Sequence, residues 1–265
     1  MNRFVIRLLS LALIFSMSGC KQEKEAVTYY ISRTMILQQT GDINVREHAY
    51  DSHWNPISAT ITLNGNFSSK TEYSYSEDFT VVTQKFTSAI YEPDSSTIVR
   101  TFDEKGQVIT AETYDDDRHI STAVNTYNNA GNITFTVQTF PDSDLVTTIE
   151  NTYDDGGNLI TRRIDTGYYV TRIEYRYDPQ NRCIREENYQ NNELTAYCEY
   201  EWKGNTAQGT NYSADGTPGF NIMLVRDDSG NTLLSEIRDV SGNLQTCTYN
   251  EYIGTDGSIS SGLPK

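Results

Sequence analysis

The sequence predicts an all-β protein, an elongated antiparallel β-meander of repeated hairpins in a single curled or rolled sheet. Aromatic-plus-turn signals recur at a step of about 12 to 13 residues from Tyr50 to Arg238, the spacing of a strand of about eight residues and a turn of about four. Thr, Tyr, Val and Ile fill the segments between the turns, while Asp, Asn, Gly and Ser fill the turns themselves, as their backbone preferences dictate. Beyond the first residues no segment has a helical period.

Residues 1–19 are expected to be a lipoprotein signal peptide. Arg3 and Arg7 precede the apolar run Leu8–Phe15, and Met17-Ser18-Gly19-Cys20 follows. This run is too short for a transmembrane helix, which needs about 20 apolar residues. Small residues directly before Cys20 resemble the bacterial signal in which that cysteine becomes the lipidated first residue. Residues 20–26 form a short charged spacer, 27–253 the hairpin domain and 254–265 a polar tail. Without Arg3 and Arg7 the chain has 19 basic against 36 acidic residues, a net charge near −17. A surface that acidic excludes nucleic acid, whose phosphates need clustered Lys and Arg. The membrane is therefore reached through lipid at Cys20 and not through charge.

The hairpins share a turn. YDDGGNL (Tyr153–Leu159) has relatives in YNNAGNI from Tyr127, FDEKGQV from Phe102 and RDVSGNL from Arg238. The fourth residue after the aromatic is expected to need positive φ, which glycine adopts at little cost. Gly106, Gly131, Gly157, Gly216, Gly230 and Gly242 stand there, and Asn181 takes the same place in YDPQNRC. Arg118 in YDDDRHI and Trp54 in YDSHWNP depart, so those turns are expected to differ in shape. Strong copies return at about double the step, which makes a hairpin of about 25 residues the natural unit, with the glycine turns on one edge.

Alternation sets the faces. Ile133, Phe135 and Val137 alternate with Thr134, Thr136 and Gln138, and Ile173, Tyr175 and Tyr177 with Arg172, Glu174 and Arg176. A sheet with one apolar face must curl, fold over or pair with another molecule.

If Cys20 is acylated, Cys183, Cys198 and Cys247 remain. Cys183 and Cys198 flank the turn at Asn191-Asn192, and a two-residue turn there makes them diagonal neighbours on one face. They are candidates for a disulfide, or for two small buried side chains.

The motif Tyr153-Asp154-x-x-Gly157-Asn158-Leu159 resembles the YD repeats of the RHS family. The resemblance spans about residues 45–252 and is strongest over about 100–180 and 226–245. It implies strips of antiparallel hairpins, which in large members spiral into a hollow shell around a toxic C-terminal domain. The polar ending GTDGSISSGLPK is not such a domain, so what the resemblance implies here is the repeat architecture and not the toxin.

No catalytic motif accompanies the repeats. His48, His53 and His119 lie in or near turns without metal-ligand spacing, and HExxH, GxSxG and phosphate loops are absent. Asp115-Asp116-Asp117, Asp154-Asp155 and Asp227-Asp228 lack the spacing of a calcium loop, and their sister copies replace acid by Asn or Lys. Most of the 19 tyrosines are expected to support the sheet, although an aromatic stripe can also stack on sugars. The expectation is a non-enzymatic, lipid-anchored extracytoplasmic protein without metal or cofactor, binding a glycan or a surface protein. A toxin-binding immunity protein and a polysaccharide-acting envelope enzyme are the alternatives.

Overall fold

A computed structural model describes residues 28–89 and 95–262. Its strands, in chain order, are β1 (Tyr29–Gln38), β2 (Ile43–Tyr50), β3 (Pro56–Leu63), β4 (Asn66–Tyr75), β5 (Val81–Ser88), β6 (Ser96–Phe102), β7 (Val108–Asp115), β8 (Arg118–Tyr127), β9 (Ile133–Phe140) and β10 (Ser143–Tyr153). They continue as β11 (Leu159–Asp165), β12 (Val170–Tyr177), β13 (Cys183–Gln190), β14 (Glu193–Lys203), β15 (Thr206–Ser213), β16 (Pro218–Arg226), β17 (Thr232–Asp239), β18 (Leu244–Gly254) and β19 (Ile259–Ser261). Each is antiparallel to its sequence neighbours, as expected.

The sheet does not end as a curled strip. β1 pairs with β18 from Tyr29 opposite Gly254 to Gln38 opposite Thr246, so strands β1 to β18 close into an 18-stranded barrel. Closure removes the exposed backbone edges that an open roll would leave at its first and last strands. The segment after Ile253, expected as a polar tail, turns at Gly257 and returns as β19, whose Ile259 faces Ile253. The signal peptide, Cys20 and the spacer lie outside the described residues.

Cross-strand partners sort the strand residues onto two faces. One carries charges in mid-strand, among them Glu47, Glu72, Lys85, Glu150 and Glu199, and these are exposed. The other carries the buried small residues Ala59, Ser69, Ser121, Thr147, Cys198 and Ala207, together with most of the tyrosines. Side chains converge on the concave side of a closed sheet and diverge on the convex side, so the second face lines the interior. That interior is not a packed core. Tyr252 is the only buried aromatic among the described residues, and Cys247, their largest wholly enclosed side chain, lies on the outward face opposite Glu236. A ring of this many strands is wide enough to hold water.

The turns make two rims. Asp51–Asn55, Asp103–Gln107, Asn128–Asn132, Asp154–Asn158, Asp178–Arg182 and Asp227–Asn231 close the first. In YDDGGNL, Asp154 N–H donates to the Asn158 carbonyl at 2.9 Å and Gly157 N–H to the Asp154 carbonyl at 3.0 Å, with Gly157 at φ +82°. Asn181 takes the same conformation at φ 58°. Two expectations about turns need correction. The Trp54 turn does not differ in shape: Trp54 sits at φ 64° with the same pair of backbone bonds to Asp51. Stacking of its ring on Tyr30, at 5.2 Å and 7° between planes, holds it where glycine stands elsewhere. The glycine turns also do not share one edge, since those of Gly216 and Gly242 close the far rim, between β15 and β16 and between β17 and β18. The Arg118 turn does differ, with Asp115 directly opposite Arg118 and positive φ moved to Asp116.

Candidate functional site: the lumen and its collar

Most first-rim hairpins begin their second strand with a bulge; those of β4–β5 and β14–β15 pair without one. Thr152 faces Thr161, Tyr153 faces Leu159, and Ile160 is the extra residue. A bulge leaves a carbonyl without a ladder partner, and an inward aromatic fills the need. Tyr153 Oη–H donates to the Ile133 carbonyl at 2.8 Å, Tyr127 to Val108 at 2.9 Å, Tyr177 to Leu159 at 2.9 Å and Tyr75 to Pro56 at 2.7 Å. Tyr50 and Tyr252 do the same to Ile31 and Thr232, and Trp202 Nε1–H reaches Cys183 at 2.8 Å. Asn125, Asn151 and Asn250 add a second donor to three of these carbonyls. The result is an aromatic collar just inside the first rim. Phe102 and Arg226 occupy the two collar places that make no such bond.

Burial inside the barrel raises the phenols. Tyr50 and Tyr175 are pushed up to about 12, Tyr177 and Tyr200 higher still. The same burial, helped by Arg46, holds His48 down at about 4. These groups stay neutral at physiological pH and supply ring faces and hydroxyls.

Charges divide sharply between the two faces. Outside and on the rims, Arg33, Arg118, Arg163, Arg172, Arg176, Arg182, Arg185 and Arg238 each have a carboxylate partner. Arg46, Arg100, Arg162 and Arg226 point inward, and none of them has an ion pair among the described residues. Arg100 donates to the neutral Gln84 Oε1 at 2.8 Å. Nε of Arg162 and of Arg226 is buried without a hydrogen-bond partner, as it is in the outward Arg33 and Arg172, and Arg226 lies 4.9 Å over the Trp202 ring. Among the described residues the inward carboxylate away from the strand ends is Glu186, opposite Tyr175.

The residues singled out from the sequence fall elsewhere. Cys183 and Cys198 are free thiols. Asn191 and Asn192 do form a two-residue turn, at φ 50° and 71°. A bulge beyond it then sets Cys198 opposite Glu186 and moves Cys183 out of diagonal register. His48 is inward, His53 is on the first-rim turn and stays exposed, and His119 bonds Thr122 at 2.9 Å. The motif acids serve their own turns, since both Asp154 carboxylate oxygens accept from Asn158 at 2.8 Å. The inward arginines were the residues missed. Their signal was present: Arg100 stands between Ile98 and Phe102 on the apolar side of its strand.

Neither a family model nor a curated protein matches the chain. Among solved structures it is similar to a TcdB2-TccC3 chain, 12% identical over 83% of this chain with a TM-score of 0.30. It spans only 17% of that structure's length. A porin-like protein from Bacteroides uniformis is 11% identical over 84% of this chain and 96% of its own, with a TM-score of 0.48. A similar protein from Bacteroides vulgatus is 9% identical over 84% and 98%, at 0.40. At such scores the barrel's own residues must supply the functional reading.

Proposed function

We propose that this is a non-enzymatic, lipid-anchored protein of the bacterial cell envelope, whose hollow barrel takes a ligand into its lumen. The ligand class is a glycan or a segment of a surface protein. One observation carries the reading: the closed barrel turns aromatic and uncommitted polar side chains inward around open space, and turns its ion pairs outward. Outward charges in mid-strand suit a wall standing in water, because Arg or Lys facing lipid at the bilayer midplane costs about 2–4 kcal/mol. Anchoring then falls to lipid on Cys20. β1 begins at Tyr29 on the first rim, so that rim is the end tethered to the membrane. Among the described residues one inward carboxylate, Glu186, stands away from the strand ends, whereas paired-acid chemistry needs two facing carboxylates.

The lumen is tested by comparing adjacent positions on β5. A cysteine at Gln84 faces inward and one at Thr83 outward. Envelope glycan and surface-protein fractions that enter the lumen should slow maleimide labelling of Gln84→Cys and leave Thr83→Cys unchanged. Equal slowing at both positions would contradict lumen binding. Anchoring is tested with Cys20→Ala, which should release the protein from membranes; retention without any attached lipid on the wild type would contradict it.

A further inference from the structure

Among the described residues every arginine outside the lumen is ion-paired, and the four inside it are not. That division is not a consequence of scarcity. The chain has a net charge of −15, and the outward face places two carboxylates around Arg163, Glu150 and Asp165. Its neighbour in sequence, Arg162, turns inward and meets Asn151 across the strand pair. Asn151 has its Oδ1 buried and unpaired, as is the Nε of Arg162. Tyr175 stands two residues beyond Ile173, the direct partner of Arg162, and makes no hydrogen bond among the described residues. Five strands away around the barrel, on β6, the same types recur: Arg100 bonds Gln84, and Tyr73 faces Gln84 from β4.

A part-buried guanidinium without a carboxylate loses hydration and gains little in return. Two such groups facing one lumen offer an anion hydrogen-bond donors that no carboxylate of the described residues occupies. Guanidinium forks match carboxylate and sulfate oxygens. Amide and phenol groups beside them suit the hydroxyls of a sugar, and flat aromatic rings suit its C–H faces. A peptide offers carboxylates but not this dense set of hydroxyls.

We infer that the lumen binds an acidic oligosaccharide, with Arg100 and Arg162 pairing its anionic groups and Gln84, Asn151, Tyr73 and Tyr175 bonding its hydroxyls. This rests on the lumen-binding reading and names its ligand class.

Calorimetric titration of the purified protein with oligogalacturonate, a neutral malto-oligosaccharide of equal length and a poly-glutamate peptide tests it. The acidic sugar should bind at least tenfold more tightly than either of the others, and less tightly as salt rises. Arg100→Gln and Arg162→Gln should each weaken it about tenfold or more, while Arg163→Gln, on the outer face, should not. Circular dichroism identifies any variant that fails to fold, and the remaining inward variant then carries the comparison. Neutral sugar binding as tightly would overturn the charge assignment while leaving lumen binding intact. Poly-glutamate binding as tightly would overturn the sugar class. Equal loss in Arg163→Gln would place the site on the outer face, and no binding by any probe would overturn the inference; the paired-cysteine labelling judges the lumen reading separately.

Discussion

The Tyr177 hydroxyl donates to the carbonyl of Leu159 at 2.9 Å, joining the last residue of β12 to the bulge at the start of β11. The bond answers a local need, because the bulge frees that carbonyl from the ladder. Repeated around the rim, it explains why an aromatic with a polar tip precedes most of the turns. Tyr177→Phe should destabilise the protein by about 1–3 kcal/mol, the cost of an unsatisfied buried acceptor. Tyr153→Phe should cost less, since Asn151 Nδ2 also donates to the Ile133 carbonyl at 3.0 Å. Urea midpoints of the two variants give the comparison, and equal losses would mean that these hydroxyls do not serve the bulges.

Gly157 has open space around it: the nearest atom to an added Cβ is Asn132 Nδ2 at 3.9 Å. Any cost of Gly157→Val therefore comes from φ +82° and not from a clash. About 1–2 kcal/mol is expected, with Val at the upper end as a β-branched residue. Asn181→Gly should move stability the other way by a few tenths of a kcal/mol. Thermal melts that left Gly157→Val unchanged would contradict the positive-φ account of the motif.

Trp54 presents the opposite balance. It bears the positive φ and is held by the stack on Tyr30, at the start of the strand that closes the barrel. Trp54→Gly relieves the backbone and loses the stack, so β1 should fray while the other first-rim turns stay as they were. Hydrogen exchange at Tyr29–Ile31 should accelerate selectively. Unchanged exchange there would show that the stack does not hold the seam.

His48 is kept neutral by burial and by Arg46, with its pKa held at about 4 in the fold against about 6.5 in the unfolded chain. The unfolded state therefore binds a proton first as pH falls. Stability is full above about pH 6.5 and declines from there towards pH 4. His48→Gln should remove that part of the decline, as read from unfolding midpoints at pH 7 and pH 4.5. An identical pH dependence in the variant would place His48 in contact with solvent.

Much of this fold was legible in the sequence. Strand spacing, turn positions and the positive φ of Gly157 and Asn181 are local properties of a few residues. Barrel closure was not legible, because it depends on the registry between Tyr29–Gln38 and Thr246–Gly254, segments more than 200 residues apart with no motif linking them. Trp54 misled for a related reason: its turn is kept by Tyr30, a contact outside the hairpin. The inward arginines could have been found from alternation alone. Arg162 and Arg163 are adjacent, yet they occupy opposite faces with opposite ion pairing, and only closure makes one of those faces a lumen.

Closure is therefore the claim on which the lumen, its collar and its arginines all depend. Residue-resolved hydrogen exchange on β1 tests it most directly. Amides of Arg33–Leu37, where β1 is paired on both sides, alternate between partners on β2 and partners on β18. In a closed barrel both sets are protected to a similar degree. Fast exchange confined to the amides that face β18 would show an open edge, and with it no lumen.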